Sequence, residues 1–366
     1  MKNFICNPLS KVSLKTGGGR DSGIELLRIL ALLFVIVIHY GDKALPLLTP
    51  EKGWAGLVFL RSLSSGAVDI FIIISGFFLC KSESRPIGKP ASLLAQVIYR
   101  NLMVYGIMIM LGIEIFNLHD CAAKFVPSSY YPILFCTLFI ISPWLNLVYR
   151  QKQSLQVFII SLIIIFSVWP TLVDLSEELI GLDWFGLSTV GARGAQAGFN
   201  IVNFILMYYV GGFLRLGELP QIFKKRGTLI LLICFVTIII FVWAMMVLKY
   251  PRREMISAWV YHNPFVLLLS VCLFLFFKDI HFKSLIVNNV AKVTYLCFLI
   301  HSGIIAQIDI GIKQACERGL GYLMIHYCLF SISMLVLSGG ALLVYNVLIE
   351  PLFDKLNRIE IPYRLE

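Results

Sequence analysis

Apolar residues fill long stretches of the chain, and polar residues gather in the short segments between them. Ten apolar segments come close to the roughly 20 residues that a helix needs to cross a bilayer. They are residues 23–40, 57–80, 93–116, 130–149, 155–172, 198–214, 227–248, 262–277, 290–310 and 320–349. The pattern predicts an all-α polytopic membrane protein with about ten transmembrane helices. It divides the chain into a leader at 1–22, a ten-helix membrane domain at 23–351 and a short tail at 352–366.

Composition and charge agree with this prediction. The chain is 58% hydrophobic and 14% charged, whereas soluble domains carry about 25% charged residues. The net charge of +10 is spread over short loops, which is typical of membrane topology rather than of a nucleic-acid-binding surface. About two thirds of the 31 lysines and arginines fall on the side of the N-terminus, which predicts that both termini are cytoplasmic. Residues 1–20 lack the apolar region of a cleavable signal peptide, so we expect an uncleaved first helix.

The cysteines and acidic residues show no pattern of a metal site. None of the nine cysteines forms a Cys-x-x-Cys pair, and most lie inside apolar segments. Cysteines in such positions usually pack as small apolar core residues. No cluster of histidine, aspartate and glutamate has the spacing of metal ligands. The sequence therefore predicts no metal.

The first apolar segment carries three ionisable residues, Glu25, Arg28 and His39. Arg28 and His39 are eleven residues apart, so they lie on one helix face, separated by about 16 Å of helix rise. Ionisable groups at membrane depth are costly, which favours a functional site. The alternative remains open that Arg28 extends to the interface, Glu25 pairs with it, and His39 is an interfacial residue.

Further polar positions have two readings each. The Ser75-Gly76 pair favours close helix packing, and the Ser75 hydroxyl could also face a buried site. His301 is either a hydrogen-bonded structural group or a residue that holds a substrate. Asp42 is either a loop acid or a partner that orients His39. The loop at 173–197, with its acids and Trp184, is either an ordinary solvated loop or a sugar-binding segment.

The order of several motifs resembles the acyltransferase-3 family of integral-membrane acyltransferases, of the surface polysaccharide O-acetyltransferase type. The motifs are Gly-Ile-Glu-Leu-Leu-Arg ending at Arg28 and followed after ten residues by His39, Phe-Ile-Ile-Ile-Ser-Gly-Phe-Phe-Leu at 71–79, Ser-Pro-Trp-Leu-Asn at 142–146, Tyr-Tyr-Val-Gly-Gly-Phe-Leu-Arg at 208–215, Tyr-His-Asn-Pro-Phe at 261–265, Tyr-Leu-Cys-Phe-Leu-Ile-His at 295–301 and Ile-Glu-Pro-Leu at 349–352. They extend over most of the chain.

The resemblance implies a ten-span enzyme that takes an acetyl or another short acyl group from cytoplasmic acyl-CoA, with acetyl-CoA as the expected donor. The implied acceptor is a hydroxyl of a cell-surface polysaccharide or its lipid-linked precursor, and the implied location is the cytoplasmic membrane of a bacterium. Arg28 and His39 match the arginine and histidine that the family requires. Arg100 matches an arginine at the start of the third span, which would contact the coenzyme phosphates with Arg28. The family often has a second arginine three positions earlier, where this chain has Val97.

The residues suit this chemistry. An alcohol needs a base to become a nucleophile, and imidazole, with an unperturbed pKa of about 6.5, is the commonest one. We therefore assign His39 as the general base, and Arg28 and Arg100 as binders of the coenzyme phosphates. Donors to the developing oxyanion could be Ser75, backbone amides near Gly76, or Asn263. Glu25 and His301 are expected to support the site or the substrate.

Two other classes of membrane protein share this composition. A transporter or flippase of glycan precursors would often show two similar halves with broken helices, and no such pairing is found in the sequence. A glycan polymerase would be expected to have large arginine-rich outward loops, whereas the longest outward loop holds only Arg193. The sequence favours the acyltransferase, with acyl-CoA, a glycan acceptor and membrane lipid as partners and no nucleic acid.

Overall fold

The computed structural model describes residues 21–82, 84–150, 152–180, 199–216 and 260–362, and single positions between 227 and 239. In these ranges the helices are α1 (Ser22–Ala44), α2 (Trp54–Ser64), α3 (Ala67–Leu79), α4 (Gly88–Met110), α5 (Leu118–Ala123), α6 (Tyr130–Leu145), α7 (Lys152–Ile163), α8 (Trp169–Ile180), α9 (Ile201–Leu216), α10 (Pro264–Lys278), α11 (Leu285–Gln307), α12 (Ile312–Glu317) and α13 (Leu320–Leu348). A two-stranded antiparallel sheet joins β1 (Ser84–Pro86) to β2 (Glu360–Pro362).

The predicted all-α membrane fold is confirmed. Within the described residues, seven helical segments are long and apolar enough to cross a membrane, and α9 and α10 are shorter apolar helices. Residues 173–180 of the predicted loop at 173–197 form the end of α8 instead. The rest of that loop, most of the predicted span at 227–248, the leader at 1–20 and the end of the tail lie outside the described residues. The count of ten helices and the cytoplasmic termini therefore stay predictions.

The second predicted span is a broken helix rather than a continuous one. Helix α2 ends at Ser64, and α3 begins at Ala67. At the break the Ser65 hydroxyl donates to the Ser62 carbonyl at 2.7 Å, and the Ser270 hydroxyl of α10 donates to the Gly66 carbonyl at 3.1 Å. Both carbonyls also accept backbone N–H groups, from Ser65 at 3.3 Å and from Ile70 at 3.0 Å, so the two hydroxyls add second hydrogen bonds to carbonyls at the break.

Helix α1 lies at the centre of the bundle and belongs to both large apolar clusters. One cluster takes Leu27 and Val35 of α1 together with α3, α9 and α10, and the other takes Leu32 and Ile36 together with α2, α4, α11 and α13. All four of these α1 side chains are at most 2% exposed. A helix that packs against protein on both sides keeps its polar side chains away from lipid. The ionisable residues of α1 that were predicted for the site therefore face the interior of the bundle.

Helices α3 and α9 approach each other at glycines. A side chain at Gly76 would collide with the Tyr208 carbonyl, and one at Gly211 would collide with the Ile73 carbonyl. Small residues at such a contact let two backbones approach within a membrane. The close helix packing expected at the Ser75-Gly76 pair is confirmed.

Several segments meet at the end of the bundle where α1, α4 and α11 begin and α3 and α13 finish, which we call the inner end. The Ser22 hydroxyl donates to Asn288 of α11 at 2.9 Å, and the Ser92 hydroxyl of α4 donates to Glu350 at 2.6 Å. Asp21 caps α1 by accepting from the Gly23 amide at 3.0 Å. These contacts fix the depth of α1 relative to α11, on which the geometry of the site depends.

Candidate active site

Arg28 lies in a cavity near the inner end. The cavity has a volume of about 340 Å³, and its lining includes Glu25, Arg28, Ser75, Lys89 and Lys292. Glu25 accepts two hydrogen bonds from Arg28 Nη1, at 2.8 and 3.0 Å. The guanidinium carbon also lies 5.9 Å from the centre of the Phe78 ring. Three cations and one carboxylate give this inner cavity a surplus of positive charge.

His39 lies in a second cavity, further along α1. This outer cavity has a volume of about 350 Å³, and the hydroxyl-bearing residues Ser128, Tyr130, Tyr261 and Ser302 are among its lining. His39 is exposed although α1 is central, because the imidazole opens into this space. Because Arg28 and His39 share one face of α1, that face presents the arginine to the inner cavity and the histidine to the outer cavity.

A second histidine stands beside His39. The rings of His39 and His301 have centroids 5.1 Å apart and planes inclined by 51°. His301 is 1% exposed, and its Nδ1 lies 3.0 Å from the Cys297 carbonyl. A carbonyl can only accept, so this contact assigns the proton to Nδ1 and leaves a lone pair on Nε2. That buried Nε2 has no hydrogen-bond partner among the described residues.

Arg100 lies deeper than the sequence predicts. Helix α4 begins at Gly88 rather than near Leu93, so Arg100 is twelve residues, or about 18 Å, along the helix. It lines the outer cavity with His39, not the inner cavity with Arg28. Its Nε is buried and lacks a hydrogen-bond partner in the described part of the chain. The structure thus separates the two arginines that the sequence assigns to the same coenzyme.

Ser75 and Asn263 do not meet at His39. The Ser75 hydroxyl donates to the Phe71 carbonyl at 2.8 Å and lines the inner cavity. The Asn263 side chain caps α10 by accepting from the Phe265 amide at 2.8 Å. Asp42 pairs with Arg61, whose Nε lies 2.9 Å from its carboxylate. Of the residues predicted for the site, the structure therefore brings His39, His301 and Arg100 together, and Glu25, Arg28 and Ser75 together.

The sequence did not indicate Lys89 and Lys292 as members of the site. The apolar segments were expected to begin at residues 93 and 290, which left Lys89 in the preceding loop and Lys292 at the edge of its segment, and both were counted only as cations of the N-terminal side. The helices begin at Gly88 and Leu285 instead, so each lysine lies within its helix and lines the inner cavity. A polar residue just ahead of an apolar segment was the available signal. Among the described residues, no group of three histidines, cysteines or acids could hold a metal ion.

Comparisons with known proteins agree with the arrangement of the motifs. The family model described as an acyltransferase domain, acyltransferase-3, matches residues 21–345. Searches of curated proteins and of solved structures gave no match. The matched range includes α1 with Arg28 and His39, the partner His301 and nearly all of α13. The chain therefore belongs to the acyltransferase-3 family of membrane acyltransferases.

Proposed function

We propose that this membrane acyltransferase is an O-acetyltransferase. It moves an acetyl group from cytoplasmic acetyl-CoA to a hydroxyl of a cell-surface polysaccharide or its lipid-linked precursor, in the cytoplasmic membrane of a bacterium. One observation carries the proposal: a single central helix presents Arg28 to a cationic cavity and His39 to a cavity lined by serine and tyrosine residues. About 16 Å of helix rise separates the two residues.

The inner cavity suits the phosphates of the donor. Arg28 is held in a fixed orientation by its two hydrogen bonds to Glu25. A guanidinium can bind phosphate oxygens through two parallel N–H groups, whereas a lysine acts as a point charge. We assign Arg28 the oriented contact, and Lys89 and Lys292 the less directional attraction. The positive-inside pattern, which predicts that this end faces the cytoplasm, supports entry of the donor from that side.

His39 is assigned as the general base. It takes the proton of the acceptor hydroxyl while the oxygen attacks the thioester carbonyl. The carbon–sulfur bond then breaks, and the proton on His39 passes to the leaving thiolate. Acid–base assistance of this kind contributes about 10²- to 10⁴-fold to a rate. No external oxidant or reductant is needed.

His301 and Arg100 are assigned supporting roles around the base. The lone pair on His301 Nε2 can accept an N–H from His39, which would orient that ring with its other nitrogen toward the acceptor. The Arg100 guanidinium, at the same depth, is suited to stabilise the oxyanion that forms on the thioester carbonyl. Arg100 is thus proposed to act on the reacting end of the donor rather than on its phosphates.

The outer cavity suits a sugar hydroxyl. Serine and tyrosine hydroxyls can both donate and accept, which matches the hydrogen-bonding capacity of a glycan better than that of an apolar acceptor. The aromatic rings of Tyr130 and Tyr261 add faces on which a sugar ring can pack. The segment that follows α8 in the sequence, with Asp183 and Trp184, is proposed to extend this acceptor site.

Transfer of a labelled acetyl group tests the proposal. Membranes that contain the wild type or His39→Ala at equal protein level receive acetyl-CoA labelled in the acetyl group, together with the host's glycan. We expect label in the glycan with the wild type only, and release of that label by mild alkali. His119→Ala is the matched control, because the His119 side chain is 89% exposed and lies on α5, away from both cavities. Absence of label with the wild type, or full labelling with His39→Ala, would contradict the proposal.

A further inference from the structure

The two cavities share a side chain, Phe298. It lines the inner cavity with Arg28 and Ser75, and it lines the outer cavity with His39 and Arg100. Phe298 lies on α11, three residues before His301, so the two side chains lie on nearly the same helix face. Phe298 therefore borders both the inner cavity and the space around His39.

Aromatic rings surround Phe298 on both sides. Its ring centroid lies 4.8 Å from that of Tyr131 and 6.4 Å from that of Phe71, both of which line the inner cavity. Toward His39 it lies 6.0 Å from the His301 ring. The inclined arrangements are those that aromatic pairs prefer. These rings form a connected group that borders both cavities, which we call the partition.

The neighbours of Phe298 in the chain are buried, while the Phe298 side chain borders open space in both cavities. Cys297 and Leu299 on either side are at most 1% exposed. Phe298 itself is half-buried, because its ring faces the two cavities. Rotamer changes of a single side chain next to a cavity are fast compared with movement of a packed helix. Passage between the cavities is therefore expected to depend on rotation of this ring.

We propose that Phe298 is a specificity-determining residue for the acyl group: it separates the donor cavity from the acceptor cavity and admits only a short acyl chain past its ring to His39. This inference rests on the proposed acyl transfer from a coenzyme A thioester. An acetyl group adds one methyl group beyond the thioester carbonyl, whereas a longer chain must also fit between Phe298, Tyr131 and His301. The partition also keeps water of the outer cavity from the thioester while the acceptor is absent.

Substitution of Phe298 tests both consequences. Phe298→Ala joins the cavities, so we expect the ratio of butyryl to acetyl transfer, as kcat/KM, to rise about tenfold or more, the scale of one methylene in a shaped pocket. We also expect faster donor hydrolysis without acceptor, in which water attacks the thioester carbonyl, the carbon–sulfur bond breaks, and a carboxylic acid and the coenzyme thiol form. Phe298→Leu should change both quantities in the same direction, and it keeps the test available if the alanine variant does not fold.

Phe135→Ala is the matched control. Phe135 lines the inner cavity but not the outer one, so its truncation widens the donor side without joining the two spaces. We expect no increase in donor hydrolysis with this variant. The inference is overturned if the Phe298 variants transfer acetyl groups but keep the wild-type chain preference and hydrolysis rate. A wild type that transfers no acyl group would instead overturn the proposed function itself, so the two failures are distinguishable.

Discussion

Replacement of Arg28 should weaken donor binding more than it slows the chemistry. In the structure the guanidinium lies in the inner cavity and makes hydrogen bonds of 2.8 and 3.0 Å to Glu25. Arg28→Ala removes an oriented phosphate contact. A hydrogen bond to a charged group contributes about 1.5–3 kcal/mol, and each step of about 1.4 kcal/mol changes an affinity tenfold. The KM for acetyl-CoA should therefore rise about 10- to 100-fold, with little change in kcat.

The Glu25 carboxylate also affects donor binding in the Arg28→Ala variant. Without the guanidinium its negative charge acts on the cavity, and like charges oppose binding of the donor phosphates. The double variant Glu25→Gln with Arg28→Ala should therefore have a lower KM than Arg28→Ala alone. Arg28→Lys should fall between the wild type and Arg28→Ala, because lysine keeps the charge but not the paired N–H groups.

Initial rates measured against acetyl-CoA concentration, in membranes matched for protein level, check these values. Arg318→Ala is the matched control, since Arg318 is exposed and stacks on Tyr322 with its guanidinium carbon 4.6 Å from the ring centre. An unchanged KM together with a large loss of kcat in Arg28→Ala would refute the reasoning. It would move Arg28 from donor binding to the reacting centre.

Three further changes have defined outcomes. His301→Phe should lower kcat about 100-fold without changing the KM for acetyl-CoA, because it removes the hydrogen-bond acceptor beside His39. His301→Gln should keep part of the rate. An unchanged kcat would argue against the positioning role of His301. Gly211→Ala should lower the free energy of unfolding by about 1–3 kcal/mol, because the added methyl group collides with the Ile73 carbonyl. Gly339→Ala should leave the free energy of unfolding unchanged, because no described atom lies within 4 Å of the added methyl group. Equal melting temperatures of the two variants in detergent would refute this prediction. The hydrogen bond with His281, and to a smaller extent that from the Gly23 amide, lower the pKa of Asp21 below its ordinary value of 3.8. The stabilisation that the Asp21 carboxylate contributes is therefore present above pH 3.8 and is lost as the pH falls through the lowered pKa. The difference in melting temperature between wild type and Asp21→Asn should shrink on acidification, and a constant difference would contradict this prediction.

The membrane fold and the arrangement of α1 could be predicted from local patterns. Long apolar segments indicate spanning helices because the bilayer sets their length. The spacing of Arg28 and His39 gives their shared face because helical periodicity is fixed. The break at Ser65 and Gly66 was missed, because hydropathy reports the apolar length of a segment and not its backbone geometry.

The composition of each cavity could not be predicted in the same way. His39 and His301 meet only because α1 packs along α11, and nothing in either segment alone specifies that contact. Arg100 was expected at the inner end because its helix was predicted to start five residues late. Lys89 was overlooked for the same reason. Lys292 lay inside the predicted segment 290–310 but was counted only as a cation of the N-terminal side.

Binding and turnover measured on the same His39→Ala protein test the central claim most directly. The claim is that α1 connects a donor-binding cavity to a separate reacting centre at His39. Equilibrium titration of the purified variant with acetyl-CoA should give the wild-type affinity, while acetyl transfer to the glycan is lost. Transfer at the wild-type rate, or loss of donor binding in a correctly folded variant, would contradict the claim.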